Sequence, residues 1–438
     1  MATPTGNRCP WLHGRCARAL GLGTATGAFD PRMGSDAHNG AGKMSTISAG
    51  TVVPVAQLDS LTGSRFIASF AILVLHGAAF GYSLPSWLDL AQAVSYFFVL
   101  SGFILGYRYP RLPERRAIAR FYWARFARIW PVHFFCLMLG IATVPAAFWA
   151  TADGATWSIL PLQILLVNAW IPIERFVFGF NPPAWTISVE CFFYAIYPAL
   201  IFRWTATWQW KLAGSGLLML ALALIGYVAA LPAATTPEQQ NQLSTLALLY
   251  GNPLARLFEF TLGMTAAMVW HRSHRHLQLS FGIATALEVV LLCAIIVDWY
   301  WTGHKAAAWA IEIGRPGFDW RVLTSTPLGT GACLLYAPLI LLLAAGKGLI
   351  AKLLARPIPV VLGEASYSLY MLQAVMLVPV IRNPQWFETW SVGGRVIIGF
   401  TAIVVTALLL WRFVERPSRH WLLDRQPASW RPQAVAST

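Results

Sequence analysis

Arg65 and His76 lie eleven residues apart, at either end of the first strongly apolar run, residues 66–77 (FIASFAILVLHG). At about 100° per residue this spacing returns a helix to within roughly 20° of its starting face, with a rise of about 16 Å. The arginine can then sit at a membrane surface while the histidine lies on the same face near the bilayer middle. An ionisable side chain at that depth is costly and defaults to a functional role. A neutral imidazole there can take a proton from a hydroxyl nucleophile. The competing reading is a histidine that only hydrogen-bonds a neighbouring helix.

Four further clusters carry chemistry. In RFYWARFARIWP, residues 120–131, Arg125 and Arg128 share a helix face at i,i+3 and can grip phosphates with forked hydrogen bonds. Simple membrane-surface anchoring accounts for Arg111, Arg115 and Arg116. In NPPAWTISVECFFYAIYP, residues 181–198, Glu190 aligns with Tyr194 and Tyr197 on one face. A bundle-facing Glu190 can stabilise a charged His76; a bland helix start, capped by Thr186 or Ser188, is the alternative. In LGEASYSLYMLQ, residues 362–373, Ser366, Tyr370 and Gln373 form a polar stripe expected inside one helix. Arg256 and Glu259 read as an i,i+3 ion pair near an external boundary. Glu288 stands alone in an apolar run with no evident role. Ser101-Gly102, within FFVLSGFILG, offers a hydroxyl beside a small residue suited to close helix packing.

Such residues need a scaffold that holds polar groups inside apolar surroundings, and the composition supplies one. The 438 residues are 57% hydrophobic and only 11% charged, and mean hydropathy is +0.56. Soluble proteins carry about 25% charged residues, so this is an all-α polytopic membrane protein. The 21 Trp and 25 Phe suit interfacial belts and helix packing. The net charge of +14 falls in short loops between apolar runs, which argues against nucleic acid and for cytoplasmic loops or an anionic ligand. Cys136, Cys191, Cys293 and Cys333 lie in apolar runs and read as buried hydrophobes, without metal-type spacing.

Residues 1–56 are rich in small and polar residues and read as a disordered leader, with Met44 a candidate start. Apolar runs then recur from 66–84 to 396–413. Lys and Arg cluster in 108–128, at 203 and 211, in 271–276, in 347–356 and after 412, which places these loops in the cytoplasm. Alternation works if the run 158–171, shorter than the roughly 20 residues of a spanning helix, is re-entrant or interfacial. The expectation is therefore ten spanning helices, both termini cytoplasmic, and a cytoplasmic tail from 419 to 438.

Five stretches in one order resemble the acyltransferase-3 superfamily of integral membrane acyltransferases: LDSLTGSRFIASFAILVLHG, FFVLSGFILG, RFARIWPVHF, NPPAWTISVECFFYAIYP and LGEASYSLY. The resemblance covers residues 57–418. It implies about ten transmembrane helices in the bacterial cytoplasmic membrane. It also implies transfer of an acyl group, commonly acetyl, from cytoplasmic acyl-CoA to a carbohydrate or lipid-linked glycan. Acyl-CoA is then a co-substrate, and no permanently bound cofactor is implied. Arg65 and His76 match the family's Arg-ten residues-His signature, with His76 catalytic. Arg125 and Arg128 match its Arg-x-x-Arg motif near the CoA site, and Trp185, Ser188 and Glu190 match its Trp-Ser-Glu segment. Ser101, Tyr194, Ser366, Tyr367 and Tyr370 are the expected positioning residues. Gln373 stands where many members have His. No hydrolase-type domain follows residue 418, as in the single-domain type.

Direct transfer and an acyl-enzyme through His76 or Ser101 both fit. A secondary transporter or flippase would also bury His, Glu and Arg. The acceptor stays open among exopolysaccharide, O-antigen, peptidoglycan, lipo-oligosaccharide and small metabolites.

Overall fold

The computed structural model describes residues 58–430, apart from 86, 146–148, 150–151, 233–238, 240, 275–277 and 303–330. The leader falls outside the described residues, and so do residues 327–330 at the start of one apolar run. The chain divides into Met1–Pro54 and Val55–Thr438, and the description below concerns the second unit.

The described residues are helical, with one isolated antiparallel bridge between Ile173 and Leu243 and no strand. The principal helices are α1 (Asp59–His76), α2 (Ala93–Arg108), α3 (Arg115–Ala142), α4 (Gly154–Ile164), α5 (Ala184–Ile201), α6 (Trp204–Val228) and α7 (Leu257–Ser273). They continue with α8 (Phe281–Trp301), α9 (Ala332–Ala345), α10 (Leu349–Leu354), α11 (Pro357–Glu364), α12 (Ser366–Arg382), α13 (Val392–Leu410) and α14 (Arg416–Asp424). Seven segments are long and apolar enough to cross a membrane, and α11 with α12 makes an eighth, bent by 58°. Helices α7 and α9 are shorter, at 17 and 14 residues. The 11 residues of α4, which overlap the run 158–171 at 158–164, rise only about 16 Å, roughly half the hydrocarbon thickness.

Helix α2 is the centre. Its apolar stretch is 72% buried, against 17% for α6 and α8, which therefore form the lipid-facing rim. Its tightest partner is α7. A Cβ on Gly102 would strike the Phe260 carbonyl, and one on Gly263 the Val99 carbonyl, so these glycines let the two backbones touch. Gly363 of α11 meets the Thr62 carbonyl of α1 in the same way. The peripheral position of α8 explains one departure from expectation: Cys293 is exposed, while Cys136 and Cys333 are buried and Cys191 half-buried.

Glu288, without a role in the sequence, acquires one. It is fully buried on α8, and its carboxylate accepts from the backbone N–H of Ile350 (2.9 Å) and Ala351 (3.2 Å). It therefore caps the first turn of α10, whose own N-terminal residues bring no side-chain cap.

Candidate active site

A cavity of about 370 Å³ lies among α1, α2, α3, α5, α12 and α14. Arg65, Ser101, Arg125, Arg128, Glu190, Tyr194, Ser366, Tyr367 and Tyr370 all line it. His76, Trp185 and Ser188 do not.

Local folding explains who faces inward. Helix α5 begins at Ala184, with no side-chain cap at Pro183, so Glu190 sits in its second turn. The bland reading of Glu190 as a residue of a capped first turn therefore fails. Its Oε1 instead accepts from Ser101 Oγ (3.2 Å) and from the Tyr194 hydroxyl one turn on. Trp185 points the other way, packing on Phe98, Phe178 and Tyr250. Ser188 is fully buried and accepts from Ala169 N (3.3 Å), so it fastens the turn at Asn168–Trp170.

The stripe Ser366, Tyr370 and Gln373 lies inside one helix, α12, as expected, and a bend just before it sets its direction. The chain bends at Ala365, and Ser366 opens α12. Ser69 of α1 donates to the Ser366 carbonyl (3.0 Å), and Tyr367 donates to the Ile129 carbonyl of α3 (2.6 Å). The bend thereby aims the first turn of α12 into the cavity.

Six arginines line the space: Arg65, Arg108, Arg125, Arg128, Arg416 and Arg419. The carboxylates are Glu190, Glu364 and Glu415. Arg125 is held by aromatic faces, 5.6 Å from the Tyr109 and Tyr194 rings and 5.9 Å from Phe121. Arg65 lies within electrostatic range of Arg108, Arg128 and Glu190, and Arg128 within range of Glu190 and Glu415. Glu415 accepts from Ser368 Oγ at 2.7 Å. Glu415, Arg416 and Arg419 escaped the sequence reading because they follow the last apolar run, where arginines look like surface anchors. The one available signal was an acid, Glu415, at the end of that run. Helix α14 also runs across residue 418, joining the expected tail to the cavity.

His76 stands apart. Helix α1 starts six residues before Arg65, so Arg65 is already about 9 Å along it and His76 about 26 Å. The histidine is therefore the last residue of α1, near the far end of a span, rather than near its middle. It is exposed, and the chain turns after it through a short 3₁₀ segment to Gly81, whose φ of 95° favours glycine. The side chain interacting with it is Gln373 of α12, not Glu190. Two contacts, Ser69–Ser366 and His76–Gln373, are each seven residues apart on both helices. Helices α1 and α12 therefore run parallel there, and His76 lies about 10 Å beyond the cavity's Ser69. An edge contact between Phe97 and Tyr370 (6.0 Å), with Tyr370 hydrogen-bonded to Thr186, bounds this end of the cavity.

The described residues form an all-helical membrane protein whose cationic cavity also gathers carboxylates and hydroxyls, a lining whose charge suits an anionic ligand. The particular family follows from comparison. The family model described as "Acyltransferase domain" matches residues 58–412, and the chain belongs to this acyltransferase-3 family. The chain is 26% identical over 402 residues to Acyltransferase MdmB of Streptomyces mycarofaciens, covering 86% of this chain and 96% of that one. It is 26% identical over 348 residues to Nodulation protein 10 of Rhizobium leguminosarum bv. viciae, covering 75% and 82%. To Exopolysaccharide production protein ExoZ of Rhizobium meliloti (strain 1021) it is 27% identical over 283 residues, covering 64% and 74%. No solved structure matches the chain.

Proposed function

We propose that this chain moves an acyl group, acetyl in the simplest case, from cytoplasmic acyl-CoA to a hydroxyl of a carbohydrate acceptor in the bacterial cell envelope. The observation that carries this reading is the six-arginine cavity set about 10 Å from His76 along one helix face. The arginines suit the phosphates of the nucleotide, and the distance suits an extended thioester arm. The relatives' names, which include exopolysaccharide production, favour a glycan acceptor.

Ten crossings position the two substrates. The eight candidate spans, with α7 and α9, alternate so that the arginine loops and both termini face the cytoplasm, and α4 stays on the external side. Helices α1 and α12 both then run outward, in keeping with their parallel contacts. The donor enters from inside, and His76 meets the acceptor near the outer face.

Neutral His76 takes the hydroxyl proton as the acceptor oxygen bonds to the acyl carbon. The carbon–sulfur bond breaks, and the leaving thiolate recovers a proton from the imidazolium. Gln373 orients the ring. Glu190, bonded to Ser101 and Tyr194, sets the donor side of the cavity rather than the charge of His76.

The test is thiol release from acetyl-CoA by purified protein supplied with envelope glycan. General acid–base catalysis contributes about 10²–10⁴-fold, so His76→Ala should lose at least a hundredfold while its yield and melting temperature stay near wild type. A folded variant keeping a tenth of the activity would remove His76 from the mechanism. Absence of any protein-dependent thiol release would favour a carrier instead.

A further inference from the structure

Helix α13 runs on without a break through a π-helical turn at Trp411–Glu415 into α14, which borders the cavity. Two bonds pin this region to α3: Trp123 Nε1 donates to the Leu422 carbonyl and Arg120 to the Trp430 carbonyl, both at 2.8 Å. This continuation brings Arg416 and Arg419 to a lining that already holds four arginines. Arg419 lies within electrostatic range of Arg108, Arg125 and Arg128, and of the acidic Glu415. Glu415 is itself engaged by Ser368. The Nε of Arg419 is buried without a hydrogen-bond partner. The cavity thus gathers six arginines against three carboxylates, and among the described residues none of these arginines has a carboxylate at ion-pair distance.

Exposure grades along this wall. Arg125 is buried, Arg65, Arg128 and Arg419 are half-buried, and Arg108 and Arg416, which flank Arg419 in the lining, are exposed. If the thioester points toward His76, the order of groups along the donor is fixed by its covalent structure. The pantetheine arm comes first, then the diphosphate, then the ribose with its 3′-phosphate. The inner arginines meet the diphosphate. The two charges of a diphosphate leave positive charge at the mouth, where a phosphomonoester of about −1.5 to −2 would sit. Arg416 already lies 5.0 Å over the Trp411 ring, so a flat, cationic and aromatic surface adjoins that position.

We infer that Arg419, flanked by Arg416 and Arg108, is the recognition site for the ribose 3′-phosphate of the acyl-CoA donor, separate from the inner diphosphate site. This rests on the acyl-CoA reading above. The C-terminal segment then sets donor specificity, selecting CoA thioesters over carriers that share the arm and diphosphate but lack the 3′-phosphate.

The experiment compares the affinities of CoA and 3′-dephospho-CoA for purified full-length protein, by calorimetry at fixed salt. Wild type should prefer CoA by about tenfold or more, the worth of a charge-assisted fork. Arg419→Ala should lose at least most of that preference, weakening CoA strongly and dephospho-CoA less than about twofold. Arg419→Lys, which keeps the charge but not the fork, should fall between. Retained dephospho-CoA binding shows that the variant is folded. Should Arg419→Ala bind neither ligand, the lysine variant and competition by adenosine 3′,5′-bisphosphate against 5′-AMP on wild type decide. Wild-type protein that binds CoA and dephospho-CoA equally, or a folded Arg419→Ala that keeps full preference, overturns the assignment while leaving the acyl-CoA reading intact. Wild-type protein that binds neither overturns the acyl-CoA reading itself.

Discussion

Arg256 and Arg125 are both buried arginines faced by aromatic rings, yet only one borders open space. Arg256 is fully buried, 5.2 Å from the Phe98 ring and 5.4 Å from Tyr250. It is closed on itself: Nε pairs with Glu259 at 2.9 Å, and Nη2 donates to Ser95 at 3.0 Å. The sequence reading of an i,i+3 pair is right in kind, but the pair is internal rather than superficial. Arg125 has three rings around it, one long bond to the Tyr109 hydroxyl (3.4 Å), and no carboxylate at ion-pair distance among the described residues. A cation matched inside the fold stabilises the fold. A cation left unmatched beside a cavity keeps its charge for a ligand.

The largest test of that contrast is Glu259→Ala. Removing one partner of a buried pair leaves an uncompensated charge and costs about 3–5 kcal/mol, so the variant should lose folded yield and melt far earlier in detergent. Arg128→Ala should do the reverse, leaving the melting temperature close to wild type and raising the KM for acyl-CoA about tenfold or more. Arg115 is exposed and outside the cavity, and Arg115→Ala should change KM by less than about twofold. Equal effects from Arg128 and Arg115 would replace phosphate gripping by long-range charge steering.

The smallest effect concerns a partly exposed pair on the side that the proposed topology makes external. Arg175 grips Asp153, the N-cap of α4, at 2.5 Å and also donates to Asn241 (3.1 Å). The Arg175 hydrogen bonds, with help from Thr156, hold the Asp153 carboxyl well below its usual range. A group depressed in this way contributes while ionised, and its contribution fades only as pH falls below about 4, its unfolded value, toward the lower folded one. Proteolysis of the external loops should therefore be flat from about pH 8 to 5 in wild type and slightly faster, still flat, in Asp153→Asn. A wild-type cleavage rate that climbs across that window would show the latch to be controlled by some other group.

Much of this site was legible because bilayers make polar residues conspicuous. Arg65, Arg125, Arg128, Glu190 and Ser101 announce themselves by interrupting apolar runs, and the fold brings all five to one cavity. What failed to show was direction and partnership. Trp185 and Ser188 share a motif with Glu190 but face other elements, since neighbours in a helix sequence point around a full circle. The depth of His76 depended on where α1 starts, and Asp59 and Ser60 are polar enough to resemble a loop. The bend at Ala365 has no proline or glycine at its own position; beside it Gly363 packs closely on α1, a tertiary fact. Glu288 was unreadable for the same reason, because its partners are backbone groups more than sixty residues away.

The contact between Phe97 and Tyr370 has a consequence for the cell as well as for the chemistry. On the proposed topology it lies between the arginine-lined cavity, on the inner side, and a histidine nearer the outer side. A membrane that lives on its proton gradient has to be insulated at every such point. Two rings packed edge to face put apolar surface on that path, which a proton crosses less readily than a polar one. The arginine-lined vestibule behind them carries a positive potential, so a momentary breach would admit anions more readily than hydronium. The charges that suit a nucleotide also guard the membrane against short circuit.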